Sequence, residues 1–142
     1  MKTRVFLTII FLVACVTAEA LTFVGKSCEV PEDWSLLETT QKESAAAIID
    51  LQADAIILGR PFSFKFTLCD ETDPVPDRIS ANATMPAHQH GMNYTPTVTF
   101  DEASNNFEIE DFLFHMPGEW EITISSYQGE AVTHYTKIIA VN

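Results

Sequence analysis

Positive charge is scarce in this chain: eight lysines and arginines stand against twenty aspartates and glutamates, a formal net charge of −12. Nothing so acidic offers a basic patch for nucleic acid or for an anionic lipid surface. Glycine is also scarce, five residues spread thinly, so no glycine-rich loop exists to cradle a phosphate. A Gly-x-Ser-x-Gly elbow and a His-Glu-x-x-His pair are both missing, and a non-enzymatic role is expected. Beyond residue 15 no apolar run is long enough to form a membrane-spanning helix.

What is present begins with an export signal. Met1-Lys2-Thr3-Arg4 is a short basic start, and Val5 to Ala14 is an apolar run too short to cross a bilayer. Ala18-Glu19-Ala20 is a small-x-small site, which makes 1–20 a signal peptide. Leu12-Val13-Ala14-Cys15 offers the alternative of a lipobox, with the leader ending at 14 and membrane attachment only through a lipidated Cys15. Loss of residues 1–20 removes one acid and two bases, leaving a formal charge of −13. Either cleavage puts the domain in the periplasm or elsewhere on the extracytoplasmic side of the envelope.

Cysteine is rare as well, three residues in all. With Cys15 removed or lipidated, Cys28 and Cys69 are an even pair in an oxidising compartment, and a disulfide between them is expected. No thiol then remains as a nucleophile or a soft metal ligand.

The body of the chain reads as strands. Residues 21–44 form a polar N-terminal approach that carries Cys28, and 45–142 form one domain. Ala45–Leu51 and Ala53–Leu58 are short apolar runs, followed by punctuation at Gly59-Arg60-Pro61. Phe62, Phe64, Phe66 and Leu68 alternate with polar residues, as do Ile79, Ala81, Ala83 and Met85, then Phe107 and Ile109, then Trp120, Ile122 and Ile124. Phe112–Met116 reads as a more buried continuation, and Val132–Val141 as the last strand. Seven or eight short strands at this turn spacing predict an all-β, immunoglobulin-like sandwich in a single domain. Its predicted core includes Phe64, Phe66, Ile79, Phe112, Phe114, Trp120, Ile122 and Ile124.

Chemistry concentrates in two clusters. Three of the four histidines and three of the four methionines lie between Met85 and Trp120. The first cluster is Met85-Pro86-Ala87-His88-Gln89-His90-Gly91-Met92, and the second is Phe114-His115-Met116-Pro117-Gly118-Glu119-Trp120. Imidazole and thioether without thiolate favour copper over zinc, and argue against calcium or magnesium, which take oxygen. His88, His90 and Met92 share a face in an extended segment, and a bend at Gly91 would gather them round one ion. His115 and Met116 are neighbours, so on a regular strand one faces the first cluster and the other enters the core. The carboxylates Asp70, Glu71, Asp73 and Asp77 lack calcium-loop spacing and read as a solvated loop. His134 reads as a satisfied sheet residue.

The pairing of these two motifs resembles the YtkA-like domain family, related to the FixH-like group, and the likeness extends from about Ile57 to Val141. The resemblance implies a small bacterial envelope domain with a β-sandwich fold. Through the FixH-like relatives, which are linked to assembly of copper-containing respiratory oxidases, it implies a copper role and a partner that is an envelope copper protein or an oxidase assembly factor. The chain lacks the long transmembrane anchor of those relatives. Two functions are therefore expected: copper buffering or delivery through the His/Met motifs, or a structural or protein-interaction domain in which those motifs serve packing.

Overall fold

The computed structural model describes residues 29–39, 47–52, 55–69 and 75–142. Among them are nine strands and no α-helix: β1 (Ser35–Leu37), β2 (Ala47–Ile49), β3 (Phe62–Leu68), β4 (Arg78–Met85), β5 (His90–Gly91), β6 (Thr97–Asp101), β7 (Asn106–Phe112), β8 (Gly118–Gln128) and β9 (Ala131–Val141). They form two antiparallel sheets, ordered β1-β2-β3-β7-β6 and β5-β4-β8-β9. In the lettering of immunoglobulin sandwiches, β2, β3, β7 and β6 take positions A, B, E and D, while β4, β8 and β9 take C, F and G. The chain is a single β-sandwich, and no described helix is long and apolar enough to cross a membrane.

The core follows from period-2 alternation. Along β4 the buried residues are Ile79, Ala81, Ala83 and Met85, and along β8 they include Trp120, Ile122 and Ile124. Ala81 faces Ile124 and Ala83 faces Ile122 across the pair, so small side chains sit beside large ones on the buried face of this sheet. All eight core residues expected from the sequence are buried. Phe62 and Leu68, at the ends of β3, are half-buried against the core edge.

Several expectations need correction. Residues 21–44 were expected as a polar approach, yet β1 lies within that range and joins the larger sheet through β2. Just after it, Glu38 exchanges two backbone hydrogen bonds of 2.8 Å with Thr136 on β9, which ties together the edges of the two sheets. Only Leu37 of β1 is buried, so a strand held by backbone bonds leaves little pattern in its side chains. The apolar run Ala53–Leu58 forms no strand among its described residues; Ile56 enters the core while Ile57 is exposed. The continuation 113–117 is irregular rather than extended sheet, because Asp111 takes a left-handed φ of 59° and Pro117 follows.

Candidate functional site

The first cluster lies on a hairpin. β4 ends at Met85, Pro86–His88 makes one turn of 3-10 helix, and β5 returns with Met85 paired to His90 and Thr84 to Gly91. Pro86 suits the start of such a turn, since its fixed φ is near helical and no N–H is needed there. The reversal is completed by Gln89, which takes a left-handed conformation at φ 49°, ψ 39°. The bend therefore falls at Gln89 and not at Gly91, which lies in the ladder without a positive φ. A tight four-residue connection forces that position into the left-handed region, and an amide side chain tolerates it better than a β-branched one. Because 86–89 is a turn, the alternation assumed for an extended segment fails: His88 sits exposed within the turn, whereas His90 sits on the returning strand.

The second cluster occupies the irregular link between β7 and β8, and it is tied down on both sides of His115. The N–H of Gly59 donates to the carbonyl of Phe114 at 2.8 Å, and the indole Nε1–H of Trp120 donates to the carbonyl of Met116 at 3.0 Å. The Tyr94 hydroxyl donates to the carbonyl of Leu113; burial raises its pKa above the ordinary value, so it remains a donor. Gly118 has φ +134°, and a Cβ there would lie 2.7 Å from the methyl carbon of the buried Met85. The two motifs thus meet at that point in the core: the last residue of β4 packs under the turn that opens β8.

Above this contact the imidazoles converge. Nε2 of His90 lies 2.6 Å from Nε2 of His115, with ring centroids 4.8 Å apart and planes at 71°. Both rings are exposed and both rest against Trp120, His115 at 5.5 Å and His90 at 6.3 Å between centroids. Trp120 in turn contacts Phe114 at 5.0 Å, and Phe114 contacts Phe112 and Phe62. An unbroken run of aromatic rings leads from the core to the pair, so the floor of the site is rigid even though its mouth is open to water.

The other expected ligands are placed differently. Met92 is half-buried against the hydrophobic core, its backbone N–H extending the hairpin ladder to the carbonyl of Ala83 at 3.1 Å. Met116 is 37% exposed. Neither His115 nor Met116 enters the core, against the expectation for a regular strand; the buried residue of that link is Phe114. The structure brings His90 and His115 together and leaves His88 outside the pair. No three His, Cys, Asp or Glu side chains cluster as a metal-binding group among the described residues. The pairing of His90 with His115 has no signature in the sequence, because it depends on where β5 and the β7–β8 link end up in the sheet order.

Away from this site, Cys69 is buried and disulfide-bonded; Cys15 and Cys28 lie outside the described residues, as do Asp70, Glu71 and Asp73. Asp77 accepts a hydrogen bond from Gly129 at 2.6 Å, closing the β8–β9 turn. His134 is hydrogen-bonded to Ser125 at 2.8 Å. A shallow pocket of about 240 Å³ on the larger sheet is lined by Asp33, Asp50, Gln52, Phe62 and Phe64 among others. Burial raises the Asp50 carboxyl above its ordinary value, an effect opposed by the hydrogen bond it accepts from the Lys65 backbone N–H and by the Lys65 charge.

No protein-family description, no curated protein and no solved structure matches this chain.

Proposed function

We propose that the chain is an exported sandwich domain that binds copper through the imidazoles of His90 and His115, for buffering or for delivery to a partner. The observation that carries this reading is the 2.6 Å approach of two Nε2 atoms from segments 25 positions apart. Two imidazoles brought this close, once both rings turn a lone pair to a shared ion in place of their hydrogen bond, would suit copper, and the exposure of both rings suits an ion that must be passed on. Met116, which follows His115 in sequence, is the more exposed of the two thioethers outside the core. Absence of a third His, Cys, Asp or Glu among the described residues speaks against a closed structural zinc site, which takes four such ligands.

The two motifs, through their likeness to the YtkA-like family, favour the extracytoplasmic side of a bacterial envelope and a partner among envelope copper proteins or oxidase assembly factors. The leader at 1–20, or lipidation at Cys15, belongs to the same proposal, and so does Cys28 as the disulfide partner of Cys69. No reaction is assigned.

A second reading draws on the same contact. One ring donating its Nε2–H to the other, both packed on Trp120, would close the hairpin against the β7–β8 link in a structural or protein-interaction domain without any metal.

Copper titration of the full-length protein, purified without a histidine tag and carrying Trp34→Phe, separates the two. Trp120 is then the sole indole, and Cu(II) at the neighbouring pair quenches it saturably at one equivalent. Replacing His90 and His115 together with alanine should abolish that quenching while leaving the circular dichroism unchanged, since both side chains are exposed. Wild-type affinity in the double variant would hand the protein to the interaction-domain reading.

A further inference from the structure

We infer that β6 is an open docking edge, and that its occupant is an extended segment of a partner protein in which apolar residues alternate with lysine or arginine. A docking edge of this kind is independent of copper.

The two sheets have four edges between them, and three are blunted. β1 is three residues long and β5 two, too short to template a further strand. Glu38, directly after β1, exchanges backbone hydrogen bonds with Thr136 in the middle of β9, so these two edges occupy one another. β9 also carries Lys137 opposite the buried Ile122, a charge on the core-facing side of an edge strand, which discourages further pairing. β6 has none of these devices. Its five residues, Thr-Val-Thr-Phe-Asp, include no lysine, proline or glycine, and they pair with β7 in unbroken register without a bulge. Among the described residues no strand pairs with its other side, so alternate N–H and C=O groups along it are turned outwards.

The two faces of β6 set what an incoming strand must carry. Val98 and Phe100 face the core beside the buried Ile109 and Phe107, with the Phe100 and Phe107 rings 4.8 Å apart, yet both remain only half-buried. A strand laid along β6 would cover their open sides with its own alternate apolar residues. On the opposite face Thr97, Thr99 and Asp101 are exposed, and the row behind them on β7 holds Glu110 and Glu108. Hydrogen bonds from the Ser104 hydroxyl and the Ala103 N–H hold the Asp101 carboxyl below its ordinary value, so it stays ionised. Lys65 on β3, opposite Glu108, is the base in these rows. Neighbouring strands are spaced about 4.8 Å apart, so a lysine or arginine opposite Thr97 or Thr99 reaches over the short threonine to the carboxylate behind it. A second copy of this chain fits poorly, because it brings a further net charge of −12 and sets one acidic row beside another.

The test uses the full-length protein and the probe peptide Lys-Val-Lys-Val-Lys-Val-Lys, blocked at both ends and labelled for fluorescence anisotropy. Expected are saturable binding that weakens as salt rises, and slowed amide hydrogen exchange within Thr97–Asp101 in the complex. The same peptide N-methylated at every second residue cannot hydrogen-bond to a strand edge and should not bind. Val98→Lys, which puts a charge on the core-facing side of the edge, should abolish binding, with thermal melts reporting that the fold survives. Glu108→Gln and Glu110→Gln leave the edge intact and should each weaken the peptide by up to about fivefold, the range of a cross-strand charge pair. A peptide with glutamate in place of lysine should not bind. If the N-methylated peptide binds like the parent, or if protection appears on another strand instead, docking at β6 is overturned. If the glutamate peptide binds as tightly, the basic character of the partner is overturned. If sedimentation shows a dimer that Val98→Lys dissociates, the occupant is a second copy and the partner segment is overturned.

Discussion

Gly118→Ala is the substitution that most directly examines how the two motifs are locked together. Two costs add at this position. The φ of +134° is one that residues with a Cβ rarely adopt, and holding alanine there costs about 1–3 kcal/mol. The new Cβ would also meet the Met85 methyl carbon at 2.7 Å. Met85 is only 2% exposed, so its methyl has little room to retreat, and overpacking of this kind costs about 1–3 kcal/mol. The sum is roughly 2–6 kcal/mol, which for a domain of this size is a fall in Tm of roughly 4 °C for each kcal/mol. Urea unfolding should show a lower midpoint with an unchanged m-value. Met85→Ala by itself should cost about 2–5 kcal/mol as a cavity in the core. In that background the added cost of Gly118→Ala should shrink to the backbone share of about 1–3 kcal/mol, because the clash is gone. A Gly118→Ala protein with the wild-type midpoint would refute the whole account. Complete rescue by Met85→Ala would refute the backbone part of it.

Trp120→Ala should destabilise by about 3–5 kcal/mol, as truncation of a fully buried indole does. Trp120→Phe should cost less, about 1–3 kcal/mol, through the Met116 carbonyl left without its donor; equal costs for the two variants in urea unfolding would contradict this. Asp50 has a folded-state pKa raised above 3.8, chiefly by burial, so the folded chain binds that proton more tightly than the unfolded one. Its ionised form therefore detracts from stability at neutral pH, and the deficit disappears as pH falls through the raised value towards 3.8. Asp50→Asn keeps an acceptor for the Lys65 N–H, and its stability advantage over wild type should shrink between pH 7 and pH 4; an advantage independent of pH would show that burial of the charge is not the cause. Non-reducing peptide mapping should recover Cys28 linked to Cys69, and reduction should lower stability by about 2–4 kcal/mol; recovery of Cys28 as a free thiol would remove the pairing.

Much of the sandwich was legible before any coordinates. Strand alternation is a local property, written by the requirement that every second side chain leave water. The span Phe62–Leu68, the buried faces of β4 and β8, and seven of the eight expected core residues follow from it, Phe114 being buried from the irregular link after β7. What alternation does not carry is anything held by backbone bonds alone, and so β1, with a single buried residue, passed for a polar approach.

The site divides in the same way. Composition determined that imidazole and thioether would be the available donors and that they would gather between Met85 and Trp120. Which of them meet was decided by tertiary structure. Proximity in sequence favoured His88 with His90, but Pro86 and a left-handed Gln89 turn the chain between them. Placing β4 beside β8, in the register that sets Thr84 against Glu121, brings the returning strand of the hairpin to the link that opens β8. His90 therefore meets His115, 25 positions away. That juxtaposition is a consequence of sheet order, which no local run of residues encodes.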